Sequence, residues 1–384
     1  MESIARRTLL GLLLVAAGLG LTSCSDDPAA PPQPPANLHE ALARACEEHG
    51  IPGLGAVVIR TGESGGATAL AVAGLRRLGA PDSVQAADLW HLGSNTKAIT
   101  ATLLGVLVER DSLAWDSRVL EVFPELAPAA PAEYAAITLA DLLCHRAGIP
   151  SFEELADFLA LPPFTGTNAE QRYAFTAWLL ARPPETPPGQ YDYSNAGYAI
   201  AAAMAERVTG SSWEDLVPAL VLAPLGIDGA FGWPGRVGPD QPWGHEWDGR
   251  ALTPHDPWSE YALPVLIAPA GDVSLDLAGY GAFLRLHLAG LRGADGLLTA
   301  ATIQRLHQPV GDYALGWGIG SRDGDPISAH FGSAGTFLCG AVICAERNLA
   351  FAVIANAAHP AAEAGIAEVM DWIWERAGSE GAIF

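Results

Sequence analysis

The run from Ala98 to Val108 constrains the fold most, because it is apolar nearly all round when wound as a helix. A helix without a polar face cannot lie on a surface, so it must be enclosed in the middle of a domain. The chain has the material to enclose it: 50% of its 384 residues are hydrophobic and 11 are Trp. That length suits one enzyme fold with an inserted subdomain, or two domains.

A short polar stretch, Gly93-Ser94-Asn95-Thr96-Lys97, opens this segment, and Lys97 is the only lysine in the protein. Guanidinium stays protonated in proteins, whereas a buried ammonium can lose its proton. A single Lys in a chain that otherwise uses Arg therefore points to proton transfer. Three positions apart on a helix, Ser94 and Lys97 share a face, so the amine reaches the hydroxyl. Ser94 would also sit at the helix N-terminus, where unpaired N–H groups and the positive end of the dipole favour developing negative charge.

The formal net charge of −22 speaks against nucleic acid or anionic lipid as partners, since both require clustered Lys/Arg. The N-terminus reads as an export signal: Arg6 and Arg7, an apolar run from Leu9 to Leu21, then Leu21-Thr22-Ser23-Cys24. The run is shorter than the roughly 20 residues that span a bilayer. Its last four residues resemble a bacterial lipobox, which predicts a signal peptide over 1–23, lipidation at Cys24 and a periplasmic or cell-surface lipoprotein anchored to the membrane. The polar, Pro-rich stretch over 24–37 reads as the tether. Export permits disulfides. Cys339 and Cys344, however, have an odd separation on one strand, face opposite ways and should not pair. No cysteine has metal-ligand spacing; no metal or cofactor is expected.

Leu38 to His49 reads as a helix ending at Gly50, and Leu54 to Arg60 as a strand. Gly62-Glu63-Ser64-Gly65-Gly66 matches the G-x-S-x-G nucleophile elbow, which needs a helix after the turn. The strand-like Ala67 to Ala73 follows instead, so this match reads as a hairpin turn. From Asp116 to about Leu225 the pattern is helical, broken by Pro-rich loops, with a Tyr- and Asn-dense loop from Pro187 to Tyr198. Beyond Tyr313, strands are predicted at Ala314–Ile319, Ile327–Ser333, Phe337–Ala345 and Leu349–Asn356, then a helix over Ala361–Ala377. The expected fold is α/β (α+β): an antiparallel sheet flanked by helices, over 38–377, with a helical insertion at roughly 116–225 and a tail at 378–384. The site would lie between sheet and insertion.

Three pieces then line up in order: Ser94-Asn95-Thr96-Lys97, Tyr193-Ser194-Asn195, and His330-Phe331-Gly332 followed by Ser333-Ala334-Gly335. They resemble the S-x-x-K, Y-x-N and K-T-G (or H-x-G) boxes of the serine β-lactamase and penicillin-binding-protein family, particularly its class C-like branch. Leu142-Leu143-Cys144-His145-Arg146-Ala147-Gly148 is similar to the family's L-L-x-H-x-S-G segment, and Pro269-Ala270-Gly271 and Tyr313 to Trp317 also fit. The resemblance implies a β-lactamase/transpeptidase-like fold.

It also implies roles. Ser94 would be the nucleophile that forms an acyl-enzyme, and Lys97 would take or relay its proton. Tyr193 would shuttle the proton to the leaving group, and Asn195 would orient Lys97 and substrate. The N–H groups of Ser94 and Ser333, with Gly332 beside them, would form the oxyanion hole. Either Lys97 or Tyr193 can be the formal base, since coupled sites titrate together. The third box departs from the β-lactamase form. His330 replaces a permanent cation with one whose charge depends on pH, and Phe331 replaces a threonine that helps hold a substrate carboxylate.

The expected activity is thus an exported serine hydrolase acting on an ester or amide in a small-molecule or peptide substrate. The alternatives are β-lactamase or DD-peptidase action, an idle member that binds cell-wall fragments or a partner, and an α/β-hydrolase using Ser64.

Overall fold

The computed structural model describes residues 34–62, 66–377 and 383. The predicted leader, Cys24, most of the tether, Ser64 and most of the tail lie outside the described residues.

Helix α1 (Leu38–His49) is capped by the Asn37 side chain, which accepts from Glu40 N at 2.9 Å, and ends where Gly50 turns left-handed. Strands β1 (Gly53–Arg60) and β2 (Ala67–Gly74) form a hairpin. After helices α2 (Thr96–Glu109), α3 (Asn195–Thr209) and α4 (Leu277–Leu291) come strands β3 (Gly318–Arg322), β4 (Asp325–Ser333), β5 (Leu338–Cys344) and β6 (Leu349–Ala355). Helix α5 (Pro360–Arg376) closes the described core. The six strands make one antiparallel sheet in the order β2-β1-β6-β5-β4-β3. Two of its strands come from the start of the chain and four from the end. They join at β1–β6, where Leu54 lies opposite Ala355 and Ile59 opposite Ala350.

Helices cover both faces, so the central strands read as unbroken apolar runs. Leu54, Ala56 and Val58 pack with Phe351 and Val353 beneath α1 and α5, while Val57 and Ile59 join Ala341 and Ile354 in the larger core containing α2. Cys339 falls in one core and Cys344 in the other, and both are free thiols. Their odd spacing on alternating β5 has that consequence.

Helix α2 is buried from Thr96 through Leu107, as its lack of a polar face demands. Among the described residues no strand lies between Glu109 and Gly229. In this helical stretch the fully buried Arg172 donates to Glu206 Oε1 at 3.0 Å through Nε and to Glu214 Oε1 at 2.9 Å through Nη1. This tie joins helices that periodicity alone cannot place.

The expected strand Ala314–Ile319 starts later than predicted. Ala314 to Trp317 forms a tight turn in which Ala314 N–H donates to Trp317 O at 2.7 Å and Gly316 has φ +90°. A Cβ at Gly316 would stand 3.0 Å from Lys97 O, so this apolar turn packs on the first turn of α2. The edge strand begins only at Gly318. A second, small sheet pairs Trp90–His91, Val273–Leu275 and Gly229–Phe231, strands too short to show periodicity in the sequence.

Candidate active site

Ser94 lies in a 3-10 turn, Gly93–Asn95, that runs directly into α2. Two glycines let this turn meet the end of β4. A Cβ at Gly93, whose φ is +53°, would stand 2.5 Å from Ser333 N, and one at Gly332 would stand 2.6 Å from Ser94 N. The N–H groups of Ser94 and Ser333 therefore belong to two backbones in direct apposition. The buried Asn95 fixes the turn: its Nδ2 donates to Leu92 O and to Cys339 O, both at 3.2 Å, and its Oδ1 accepts from Tyr280 Oη at 2.8 Å.

Lys97 is fully buried, and its Nζ has three partners: Asn195 Oδ1 at 2.6 Å, Ala270 O at 2.9 Å and Ser94 Oγ at 3.1 Å. Asn195 Nδ2 donates to Phe152 O at 2.9 Å, which fixes the amide with its oxygen toward the lysine. The Asn195 and Ala270 oxygens can only accept. A neutral amine spends both N–H bonds on them and turns its lone pair to Ser94. Burial pushes the amine from its ordinary range down to about 7, against an opposing pull from the Glu153 carboxylate.

Tyr193 lies beneath the amine, its ring centroid 4.7 Å from Lys97 Nζ. Burial raises its phenol far above the ordinary range, and a hydrogen bond with the Ser94 side chain offsets part of the rise. The loop is held from behind by His145, whose Nδ1 accepts from Ser194 N–H at 3.0 Å and whose ring lies 4.3 Å from that of Tyr193. Burial, with Lys97 and His330 nearby, keeps His145 neutral.

His330 is placed differently from the expectation. It is buried, its Nδ1 donates to Phe331 O at 2.9 Å, and its Nε2 accepts from Tyr313 Oη at 2.8 Å. Burial, followed by the nearby Lys97, pushes the imidazole down to about 3, so it is neutral rather than a pH-dependent cation at ordinary pH. It joins the Ser94 cluster through Tyr313, whose ring lies 6.4 Å from Tyr193. Phe331 points to the opposite face, in the core with Met370. Ser333 spends its side chain on its own turn, donating to Phe337 O at 2.8 Å and accepting from Gly335 N–H at 3.0 Å.

Ser94, Lys97, Tyr193 and Asn195 thus converge, with Gly332 and Ser333 against them and His330 one residue behind. In the sequence Ala270, His145 and Tyr313 stand out only as members of short stretches, and nothing local to them says that Ala270 O meets Lys97, His145 the Tyr193 loop or Tyr313 His330. Glu153 carried no signal at all. The group Glu48, His49 and Glu368 brings ligand atoms close enough for a cation, but Arg44 pairs with both glutamates there, on the far side of the sheet from Ser94.

A family model described as Beta-lactamase matches residues 38–370. The chain belongs to the beta-lactamase family. Members of this family are serine hydrolases that work through an acyl-enzyme. The chain is 29% identical over 316 residues to penicillin-binding protein 4 of Amycolatopsis lactamdurans, covering 75% of this chain and 76% of that one. The fold is similar to that of the octameric penicillin-binding protein homologue from Pyrococcus abyssi, with TM-score 0.70 and 20% identity over 88% of this chain and 77% of that one. It is also similar to a D-stereospecific amidohydrolase from Streptomyces, with TM-score 0.65 and 24% identity over 83% and 94% of the two chains. This beta-lactamase-family protein carries the sheet, the buried helix and the ordered boxes over one continuous match.

Proposed function

We propose that this protein is an exported, lipid-anchored serine hydrolase that forms an acyl-enzyme on Ser94 and hydrolyses an ester or amide, as an esterase or peptidase. The observation that carries this reading is the Lys97 amine, which has two fixed acceptors and a lone pair left for Ser94. Lys97 is the base: a buried amine near 7 is half unprotonated at neutral pH, whereas the raised Tyr193 phenol holds no resident phenolate. Lys97 takes the Ser94 hydroxyl proton as Oγ bonds to the substrate carbonyl carbon. The oxyanion is received by the N–H groups of Ser94 and Ser333, each such donor being worth roughly 3 kcal/mol. The proton then passes from Lys97 through Tyr193 to the leaving amine or alkoxide as its bond to the carbonyl breaks. Water attacks the ester on Ser94, the same groups carry its proton back to Oγ, and the carboxylic acid product departs.

The substrate preference rests on what surrounds His330. A neutral imidazole and a Phe331 turned to the other face supply no charge or hydroxyl for a substrate carboxylate. This favours substrates without a carboxylate near the scissile bond. A second reading, penicillin or DD-peptide recognition, draws on the name of the Amycolatopsis relative. Parallel turnover of p-nitrophenyl esters, D-amino-acid amides and a chromogenic cephalosporin, with Ser94→Ala as blank, separates them. Esters and amides should be turned over well ahead of the cephalosporin, and the opposite order would favour the second reading. The absence of any mass adduct on Ser94 with a fluorophosphonate or labelled penicillin would sink the hydrolase and leave a binding protein. For the anchor, Cys24→Ala should move the protein from the membrane fraction to the soluble fraction.

A further inference from the structure

Tyr261 is an exposed aromatic held more firmly than exposure warrants. Its Oη donates to Ala334 O at 2.8 Å, one residue beyond Ser333, and its own carbonyl accepts from Trp233 Nε1 at 3.0 Å. Its ring lies 6.0 Å from Trp233 at 21°, and Trp233 lies 6.3 Å from Phe337 at 16°, giving a column of three near-parallel rings. Trp233 and Phe337 are buried, while Tyr261, at the end of the column, is 48% exposed. By contrast Trp258, at 71% exposure on the same segment, donates its backbone N–H to Asp256 Oδ1 and has no side-chain hydrogen bond among the described residues.

The segment then runs back toward the nucleophile. Half-buried Leu263 places Cδ2 2.9 Å from where a Cβ on Gly271 would be, and that same point lies 3.9 Å from the carbonyl carbon of Gly93. Tyr261 therefore stands over the turn that follows Ser333, and Leu263 stands against the Ala270–Gly271 backbone that receives Lys97 and that lies beside Gly93. A ring fixed at hydroxyl, carbonyl and face has already lost its conformational freedom, so stacking on it costs a ligand little ordering.

We propose that Tyr261 and Leu263 form an acyl-group subsite that favours substrates bearing an aromatic or bulky apolar side chain on the carbonyl attacked by Ser94. This rests on the hydrolase reading above and narrows its substrate class to arylalkyl esters and amides, such as phenylacetyl derivatives. The test compares kcat/KM for p-nitrophenyl phenylacetate and p-nitrophenyl acetate in wild type, Tyr261→Ala and Tyr261→Phe. The phenylacetate-to-acetate ratio should fall about threefold to tenfold in Tyr261→Ala, the range expected for an aromatic pair. In Tyr261→Phe, which keeps the ring, the ratio should hold while the tether to Ala334 is lost. An unchanged ratio in Tyr261→Ala, or equal losses on both esters, would overturn the subsite while leaving the hydrolase intact. Failure of wild type to turn over either ester above the Ser94→Ala blank would overturn both.

Discussion

The Lys97 amine sets a pH dependence that can be worked out in advance. A lysine at its ordinary value near 10.4 is less than about 0.1% unprotonated at pH 7. At about 7 the buried Lys97 is half free base, a gain of roughly a thousandfold in competent base. If the neutral amine accepts the Ser94 proton, log kcat/KM should rise with unit slope up to about pH 6, bend at about 7 and level off above about 8. At pH 6 kcat/KM should be about a tenth of the plateau, and at pH 5 about a hundredth. The negative charge of Glu153 holds the amine up, so Glu153→Gln should move this limb to lower pH. The assay is the pH profile of kcat/KM for a p-nitrophenyl ester, with each sample returned to pH 7.5 to separate titration from denaturation. Lys97→Arg keeps the charge without a removable proton and should lose activity by orders of magnitude while its circular dichroism stays native. A flat profile from pH 5 to 8, or near-wild-type turnover in Lys97→Arg, would refute Lys97 as the base.

Two further outcomes follow from buried groups and close backbones. His245, His287 and His330 are buried and pushed down to about 4, 3 and 3, so the unfolded chain binds their protons first. Stability is therefore whole above about 6.5 and is lost as pH falls toward those values, by about 2 kcal/mol per group at pH 5; equal urea midpoints at pH 5 and 7.5 would contradict this. Gly332→Ala puts a methyl 2.3 Å from Leu92 O and 2.6 Å from Ser94 N, so the two backbones must part: the variant should melt below wild type and, at temperatures where its circular dichroism is still native, should fail to label Ser94 with a fluorophosphonate.

Most of the sheet and the reactive end of α2 were legible because they obey local rules. The central strands are apolar runs bounded by turns, α2 lacks any polar face, and Ser94 and Lys97 meet through helix spacing alone. What could not be read depends on contacts distant in sequence. Nothing local says that the Ala270 carbonyl reaches Lys97, that His330 is sealed under Tyr313, or that Glu153 lies within the field of the amine. Ala314 to Trp317 misled because a buried turn and a buried strand have the same composition. Only Gly316, at φ +90°, distinguishes them.

The lone lysine also carries a cost to folding that can be separated from its chemistry. Its amine titrates at about 7 when folded and near 10.4 when unfolded, so between these values the unfolded chain holds the extra proton. Stability should rise with pH across that window, by about 2 kcal/mol between pH 7 and 9. Lys97→Met removes this dependence and the buried cation, but leaves Asn195 Oδ1 and Ala270 O without their donor, at about 1–3 kcal/mol for each unsatisfied group. At pH 7 the two effects nearly cancel, so the variant should be about as stable as wild type and wholly inactive. At pH 9 wild type should have drawn ahead. Urea midpoints of both proteins at pH 7 and 9 test this, and comparing the pair removes the titration of thiols such as the half-buried Cys46, pushed up to about 12, which both share. If both midpoints move together between pH 7 and 9, Lys97 is not the group that titrates, and its solitary place in the sequence would need a different cause from a removable proton.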